Sequence, residues 1–214
     1  MVVVPSFPVH ETFQATLQGE GFWAGTPVDF IRLYGCPISC RWCDTGYESG
    51  GKGIQSTLYT LSDLLSRLVS PTVVISGGEP FLHKDLPILC QAILDTGRRV
   101  HVETSGAFWL ERLPDQLWVT LSPKNHVSSL YPVHSRMWSR ANELKIVIID
   151  GTEIEFYLHF FEELQPLCEI FLQPEWKMRD RTIPLAIRQI HQFIGMRSKP
   201  MRLSLQVHKL LNIP

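Results

Sequence analysis

The sequence predicts an α/β fold: an open, partial barrel of about six parallel strands with helices on the outside. Three observations carry this. Short apolar runs recur along the chain, each followed by a polar, Gly-bearing loop and then a segment of helical period, the alternation of a parallel sheet flanked by helices. The runs number six or seven rather than eight, which favours an open barrel over a closed one. Polar residues gather at the C-terminal ends of the runs, where both barrels and open α/β sheets place their ligands. A doubly wound sheet is the other arrangement that the pattern allows, because periodicity does not give strand order.

The elements follow in order. Residues 10–27 open as a half-buried alternation and close in a Gly-rich turn in which Gly19 and Gly21 bracket Glu20, as in a surface hairpin or a backbone bend near a ligand. Residues 28–35 read as the first strand; Arg32 on it is either paired at a rim or aimed at an acid group. Gly46 to Ser56 is loop. Thr60-Leu61-Ser62-Asp63 carries an N-cap signal ahead of Leu64, Leu65 and Leu68 at helical spacing, and Pro71 stops that helix. Thr72-Val73-Val74-Ile75 is a β-branched run that enters Ser76-Gly77-Gly78-Glu79-Pro80. A helix from about Lys84 to Thr96 ends at Gly97, and Val100-His101-Val102 runs into Glu103-Thr104-Ser105-Gly106. Leu117–Leu121, Leu144–Ile149 and Ile170–Leu172 lead into Ser122-Pro123-Lys124, Asp150-Gly151 and Gln173-Pro174-Glu175. Helices are expected at about 133–141, 153–164 and 182–194, the last marked by Ile183, Ile187, Ile190 and Ile194. A final strand is expected over Leu203–Val207.

Three of the five cysteines, Cys36, Cys40 and Cys43, occupy eight consecutive residues directly after the first strand, spaced C-x3-C-x2-C. Packing does not require such crowding, since a buried thiol behaves as a small hydrophobe; a soft metal or an iron–sulfur cluster does. Three thiolates leave one metal position without a protein ligand, and an open position is where chemistry occurs. A zinc site completed by His83 or His101 is the structural alternative. Cys90 and Cys168 sit among apolar neighbours and read as buried thiols. With 214 residues, 44% hydrophobic and 19% charged, the chain suffices for one soluble domain. We expect residues 1–214 to form that domain, with an N-terminal substrate-binding segment at 1–27, the partial barrel at 28–200 and the last strand and cap at 201–214. A net charge of -1 argues against a nucleic-acid surface and points to a small substrate. Met1–Pro5 carries no basic leader and no apolar run approaches the ~20 residues of a membrane span, so a cytoplasmic protein with no membrane partner is expected.

Read together, Leu17-Gln18-Gly19-Glu20-Gly21, Arg32-Leu33-x-Gly35-Cys36, Cys40-x-Trp42-Cys43-Asp44-Thr45, Ser76-Gly77-Gly78-Glu79-Pro80, Glu103-Thr104-Ser105-Gly106, Ser122-Pro123-Lys124, Leu172-Gln173-Pro174 and Gln206-Val207-His208-Lys209 resemble the 7-carboxy-7-deazaguanine synthases. That family lies within the radical S-adenosylmethionine (SAM) superfamily, whose enzymes have partial, TIM-like barrels. The resemblance implies a 4Fe-4S cluster on Cys36, Cys40 and Cys43, with SAM chelating the fourth iron and yielding a 5′-deoxyadenosyl radical. It implies SAM contacts from Trp42, Cys43, Asp44, Gly78, Ser122, Pro123, Lys124, Gln173, Pro174, Glu175 and Trp176. It implies substrate contacts from Leu17, Gln18, Gly19, Arg32, Ser76 and His208, and a magnesium ion, Mg2+, at Thr45. Gly78 would let the backbone approach the SAM amino group. The reaction implied is ring contraction of the pterin 6-carboxy-5,6,7,8-tetrahydropterin to 7-carboxy-7-deazaguanine with loss of ammonia, on the route to queuosine, with an electron donor such as flavodoxin or ferredoxin and a homodimeric state. Two positions depart from the family's pattern: Pro37-Ile38 stands where Asn-Leu is usual, and Glu175-Trp176 where other residues are common.

The chain's end, Leu210-Leu211-Asn212-Ile213-Pro214, is apolar enough to be tied down, and the resemblance implies a C-terminal Pro against the pterin, so we expect the Pro214 carboxylate to act as a substrate ligand. Two other readings share parts of the pattern. A glycyl-radical activase would have the three cysteines and the Gly-Gly-Glu-Pro run; a non-enzymatic zinc module would have the thiols alone.

Overall fold

The computed structural model describes residues 5–49, 51–124, 126, 129–195 and 200–214. The extreme N-terminus Met1–Val4, read above as lacking a leader, lies outside these residues. The elements in order are β1 (Ser6–Leu17), β2 (Pro27–Leu33), β3 (Thr57–Thr60), α1 (Leu61–Arg67), β4 (Thr72–Gly77), α2 (Leu86–Asp95), β5 (Arg99–Thr104), β6 (Trp118–Leu121), α3 (Ser135–Arg140), β7 (Glu143–Ile148), α4 (Glu153–Tyr157), β8 (Glu169–Pro174), α5 (Arg179–Gln192), β9 (Arg202–Leu203) and α6 (Val207–Leu211).

The nine strands of the described residues form one sheet in the order β3-β1-β2-β4-β5-β6-β7-β8-β9. From β2 onward every pairing is parallel and follows chain order, which is the stepwise winding of a barrel. β3 and β9 are the two ends of that order, so the sheet is not closed. β1 pairs antiparallel with both β2 and β3, adding two strands beyond the parallel set.

Strand alternation sorts side chains to two faces with different chemistry. One face, with Ile31, Leu33, Val73, Ile75, Val100, Val102, Val119, Leu144, Ile146, Ile148, Ile170 and Leu172, is predominantly apolar, with Asp29 and Thr104 as polar members, and packs under the helices in two cores. The other face carries Arg32, Ser76, His101, Glu103, Thr120, Glu143, Lys145 and Gln173 and lines the inside of the barrel. Helix α1 begins as its sequence dictates: Thr60 Oγ1 accepts from the Asp63 amide while the Asp63 carboxylate accepts from the Thr60 amide.

Several expectations are corrected. The final strand is only Arg202–Leu203; the chain leaves the sheet after Ser204, because the Val207 amide donates to Gly19 O, and Val207–Leu211 is helix α6. β1 begins at Ser6 and pairs antiparallel with β2 across the Gly-rich turn as well as with β3, and β3 lies within a stretch that carried no strand signal. The segment 153–164 is α4 followed by a 3-10 turn over Leu158–Glu163. Helix α5 starts at Arg179 and turns Thr182, Ala186 and Gln189 inward, leaving Ile187 and Ile194 exposed. No helix among the described residues is long and apolar enough to cross a membrane.

Candidate active site

At the C-terminal ends of the parallel strands opens a cleft of about 260 Å3. Cys36, Cys40 and Cys43 line it together with Trp42, Asp44 and Thr45, from the loop after β2. The loop's course is set by its surroundings. The Gly35 amide donates to the hydroxyl of buried Tyr47 at 2.8 Å, and Ser39 adopts a left-handed φ of 53°. Burial pushes the Cys36 thiol up to about 11 and raises Cys40 as well, so with nothing bound these thiols hold their protons.

The Ser76-Gly77-Gly78-Glu79 loop lies directly on the cysteine loop. Gly78 N donates to Leu33 O and Glu79 N to Gly35 O, each at 2.8 Å. A Cβ on Gly78 would stand 2.0 Å from Gly35 O, and one on Gly77 2.4 Å from Leu33 O. The glycine pair is therefore required by backbone meeting backbone, a reason different from the approach to a ligand expected above. Glu79 is 1% exposed, and its carboxylate receives Phe81 N, Thr104 Oγ1, Ser105 N and Ser105 Oγ at 2.5–3.0 Å. It locks the loops after β4 and β5 to each other.

Across the cleft stand Leu17, Gln18, Gly19 and Glu20, which precede β2, and Gln206, His208, Lys209 and Pro214 from the chain's end. Gly19 lies under the His208 ring, where a Cβ would be 2.1 Å from Nδ1. Gln206 Nε2 donates to Glu20 Oε1 at 2.7 Å and to Asp44 Oδ2 at 3.0 Å, and Lys209 Nζ reaches Asp44 Oδ2 at 2.8 Å. Burial pushes the Asp44 carboxyl up, but the bonds and charge of Lys209 and the Gln206 amide outweigh it and hold it at about 2. Between these walls Lys145, from β7, forms ion pairs with Glu20 and, at 3.7 Å, with Glu103. Burial opposes its charge, but Glu103, Glu20 and Glu143 more than offset that and raise its pKa.

The remaining residues singled out by sequence fall as follows. Ser76, Ser122, Lys124, Gln173, Pro174, Glu175 and Trp176 all line the cleft, whereas Pro123 is buried behind it. Lys124 Nζ donates to Ser122 O and Oγ at 2.5 and 2.7 Å, and Ser204 Oγ donates to Gln173 Oε1 at 3.0 Å. The Glu175 carboxylate is committed to the turn it closes, accepting from the amides of Lys177 and Met178 at 3.0 and 2.8 Å. Arg32 lines the cleft but is paired with Glu11 Oε2 at 3.1 Å. Leu210 and Leu211, expected to be buried, are exposed, yet Pro214 still reaches the cleft, where its carboxylate oxygen accepts from Thr16 Oγ1 at 3.3 Å. The alternative zinc ligands are elsewhere: His83 Nε2 bonds Tyr34 O, and His101 is buried against Trp23 and Trp118. Cys90 and Cys168 are buried, as read from the sequence.

Comparison with known proteins agrees with this geometry. Residues 30–125 match the model of the Radical SAM superfamily. The chain is 36% identical to 7-carboxy-7-deazaguanine synthase from Synechocystis sp. over 97% of its own length and 94% of the relative's. It is 35% identical to the Escherichia coli K12 protein of the same name over 97% and 99% of the two chains. The crystal structure of QueE from Escherichia coli superposes with a TM-score of 0.79 at 33% identity, covering 95% of each chain. This chain belongs to the 7-carboxy-7-deazaguanine synthase family. It is a radical SAM enzyme of the lyase class, and the family match sets aside both the activase and the zinc module. A Streptococcus suis SuiB structure, at 13% identity and a TM-score of 0.60, shares the fold only.

Membership in this radical SAM family implies a 4Fe-4S cluster and SAM, and the donor set fits them. Three soft thiols project into one cleft from a loop pinned on both sides. Among the described residues no three His, Cys, Asp or Glu side chains converge on a single-ion site. A cluster makes no such demand, because each thiolate binds a separate iron. Glu20, Glu79, Glu103, Lys145 and Lys209 were not assigned roles from the sequence, although four of them stand in or beside the quoted motifs. Only Lys145 gave no motif signal, except as a lone charge inside an apolar strand.

Proposed function

We propose that this synthase-family enzyme converts 6-carboxy-5,6,7,8-tetrahydropterin to 7-carboxy-7-deazaguanine with release of ammonia, a carbon–nitrogen lyase step in queuosine biosynthesis. The observation that carries the reading is the two-walled cleft: thiols on one side, and on the other a polar wall of Gln18, Glu20, Glu103, Arg32 and His208 suited to a small polar heterocycle. Cys36, Cys40 and Cys43 would hold the cluster, and Trp42, Asp44, Gly78, Ser122, Lys124 and the Gln173–Trp176 turn would border SAM. Bound there, cluster and SAM supply the one-electron chemistry.

The chain's own residues orient the substrate. Carboxylates accept from ring and amino N–H groups, while a guanidinium receives a substrate carboxylate through two parallel bonds that lysine does not reproduce. For Arg32 this means exchanging Glu11 for the substrate. The Thr45 hydroxyl, which makes no side-chain hydrogen bond among the described residues, is offered to a magnesium ion that keeps several waters. The Pro214 carboxylate closes the substrate end of the cleft. We further propose a cytoplasmic homodimer supplied with electrons by a flavodoxin or ferredoxin.

The test is anaerobic reconstitution with iron and sulfide, followed by turnover with SAM, Mg2+, dithionite and 6-carboxytetrahydropterin, read by mass spectrometry of the product and by ammonia release. Cys36→Ala, Cys40→Ala and Cys43→Ala should each abolish iron binding and turnover, and Cys90→Ala neither. A wild-type protein that carries its cluster, cleaves SAM and leaves the pterin unchanged would refute the substrate assignment.

A further inference from the structure

On β7 the residues Glu143, Lys145 and Val147 face the barrel interior in successive layers, and the middle layer holds an ammonium that is 4% exposed. A buried ammonium is costly unless it is paired. Its partners are the two carboxylates that border the cleft, and the arrangement around them is matched. Lys145 Nζ contacts Glu20 Oε2 and lies 3.7 Å from Glu103 Oε2. The other oxygen of each carboxylate receives a side-chain amide: Gln206 Nε2 on Glu20 Oε1 at 2.7 Å, and Gln18 Nε2 on Glu103 Oε1 at 3.1 Å. Each carboxylate is thus gripped by one cation and one amide. Each has about four acceptor directions, so each keeps unused ones beside the cleft.

We propose that Lys145 is a positioning residue: from behind the cleft it holds Glu20 and Glu103 side by side as paired acceptors for the N–H donor edge of a flat heterocyclic substrate. The substrate itself does not need to touch it. One lysine serves both because β7 brings it between the loop after β1, which carries Glu20, and the end of β5, which carries Glu103. The other charged groups around this set are Glu143 one layer below, Lys124 after β6, Asp44 on the cysteine loop and His208 on α6. Burial pushes the Glu20 carboxyl up, but the charge of Lys145 and the bonds from Lys145 and Gln206 bring it below the ordinary glutamate value. Without Lys145 two carboxylates would face each other unneutralised, and one would take up a proton, changing an acceptor into a donor.

This inference rests on the pterin reading for its ligand but not for its structural content, and the experiment separates the two. In anaerobic holoenzyme with SAM and no reductant, affinity for 6-carboxytetrahydropterin is measured for wild type, Lys145→Met, Glu20→Gln and the double variant, alongside SAM affinity without pterin. We expect Lys145→Met to weaken pterin binding at least tenfold with SAM affinity unchanged. We expect the same substitution to cost clearly less in the Glu20→Gln background, because the part of its effect that passes through Glu20 is already lost there and only the part through Glu103 remains. Carbon-13 labelling of glutamate carboxyls, with Glu20→Gln assigning the signal, supplies a readout independent of pterin. Glu20 should titrate below free glutamate in wild type and move upward in Lys145→Met. Pterin affinity within twofold of wild type in Lys145→Met, or equal losses in both backgrounds, overturns the proposal. So does a wild-type Glu20 titrating at or above the free value, which decides the matter even if Lys145→Met does not fold. Failure of wild type to bind the pterin refutes the substrate reading alone, leaving the carboxyl titration to judge Lys145.

Discussion

A single methyl group separates Gly78 from a residue this fold can tolerate only by moving backbone. The clash partner of its absent Cβ is Gly35 O at 2.0 Å, and the backbone on both sides is fixed by the bonds from Gly78 N to Leu33 O and Glu79 N to Gly35 O. Gly78→Ala should therefore lower stability by about 2–4 kcal/mol and cut the iron bound per chain, as overpacking and a displaced cysteine loop require. Unfolding in urea together with iron analysis checks this. Glu143 makes a second case at this scale. Burial pushes its carboxyl up to about 7, against the lowering by Lys145, the Phe22 amide and Trp118. Its folded value lies above the ordinary 4.5, so between those values the native protein holds a proton that the unfolded chain has released. Stability from this group is complete below about 4.5 and declines as the pH rises to about 7. Glu143→Gln, which keeps an acceptor for the Phe22 amide, should remove that decline, worth up to about 3 kcal/mol, and be the more stable form at pH 8. Urea midpoints of the two proteins at pH 5 and pH 8 test the sign directly.

Among the elements, α6 shows what periodicity conveys and what it omits. The apolar runs that became β2, β4, β6, β7 and β8 were legible because each must present a hydrophobic face to the helices, and the capping box of α1 was legible because it is local. Residues 203–207 carry a strand-like alternation, yet Gln206 and His208 find partners across the cleft rather than along β8. Those contacts link Gln206 to residues 186 and 162 positions away, and no local pattern encodes them. The isoleucine repeat of α5 likewise does not announce Gln189, which is buried and whose amide donates to Gly151 O. The end of α6 is shaped by Asn212 in a left-handed conformation, which turns Ile213 and Pro214 back so that the terminal carboxylate reaches Thr16. A chain extended by a few residues past Pro214 should consequently fold and bind its cluster while losing most of its turnover, whereas a tag at Met1 should be harmless. Equal turnover by the two proteins would show that the terminus only covers the cleft.

For the molecule as a whole, the two ends of the sheet order never meet, and the loop between β1 and β2 bridges the barrel from the first strands to the last. Its residues bond to the far edge: Val207 N donates to Gly19 O and Gly21 N to Ser204 Oγ, both at 2.9 Å. The three sequence signals at this junction, Gly19, Glu20 and Gly21, suggested a bend near a ligand but not that the bend joins the chain's beginning to its end. Ser204 is the pivot. It is 3% exposed, accepts from the Gly21 amide and donates to Gln173 at the end of β8, so three segments meet on one hydroxyl. Ser204→Ala leaves the half-buried Gly21 N–H without this acceptor and strands the buried amide oxygen of Gln173, the latter costing about 1–3 kcal/mol when left without a partner. Because the bridge rather than strand pairing joins the two sides there, the loss should not spread evenly. We expect amide exchange to quicken together over residues 18–22 and 204–209 while β4 and β5 keep their protection, and pterin affinity to fall more than SAM affinity. A uniform rise in exchange across the sheet would mean that Ser204 supports the core at large and that the barrel's open side is held by something other than this bridge.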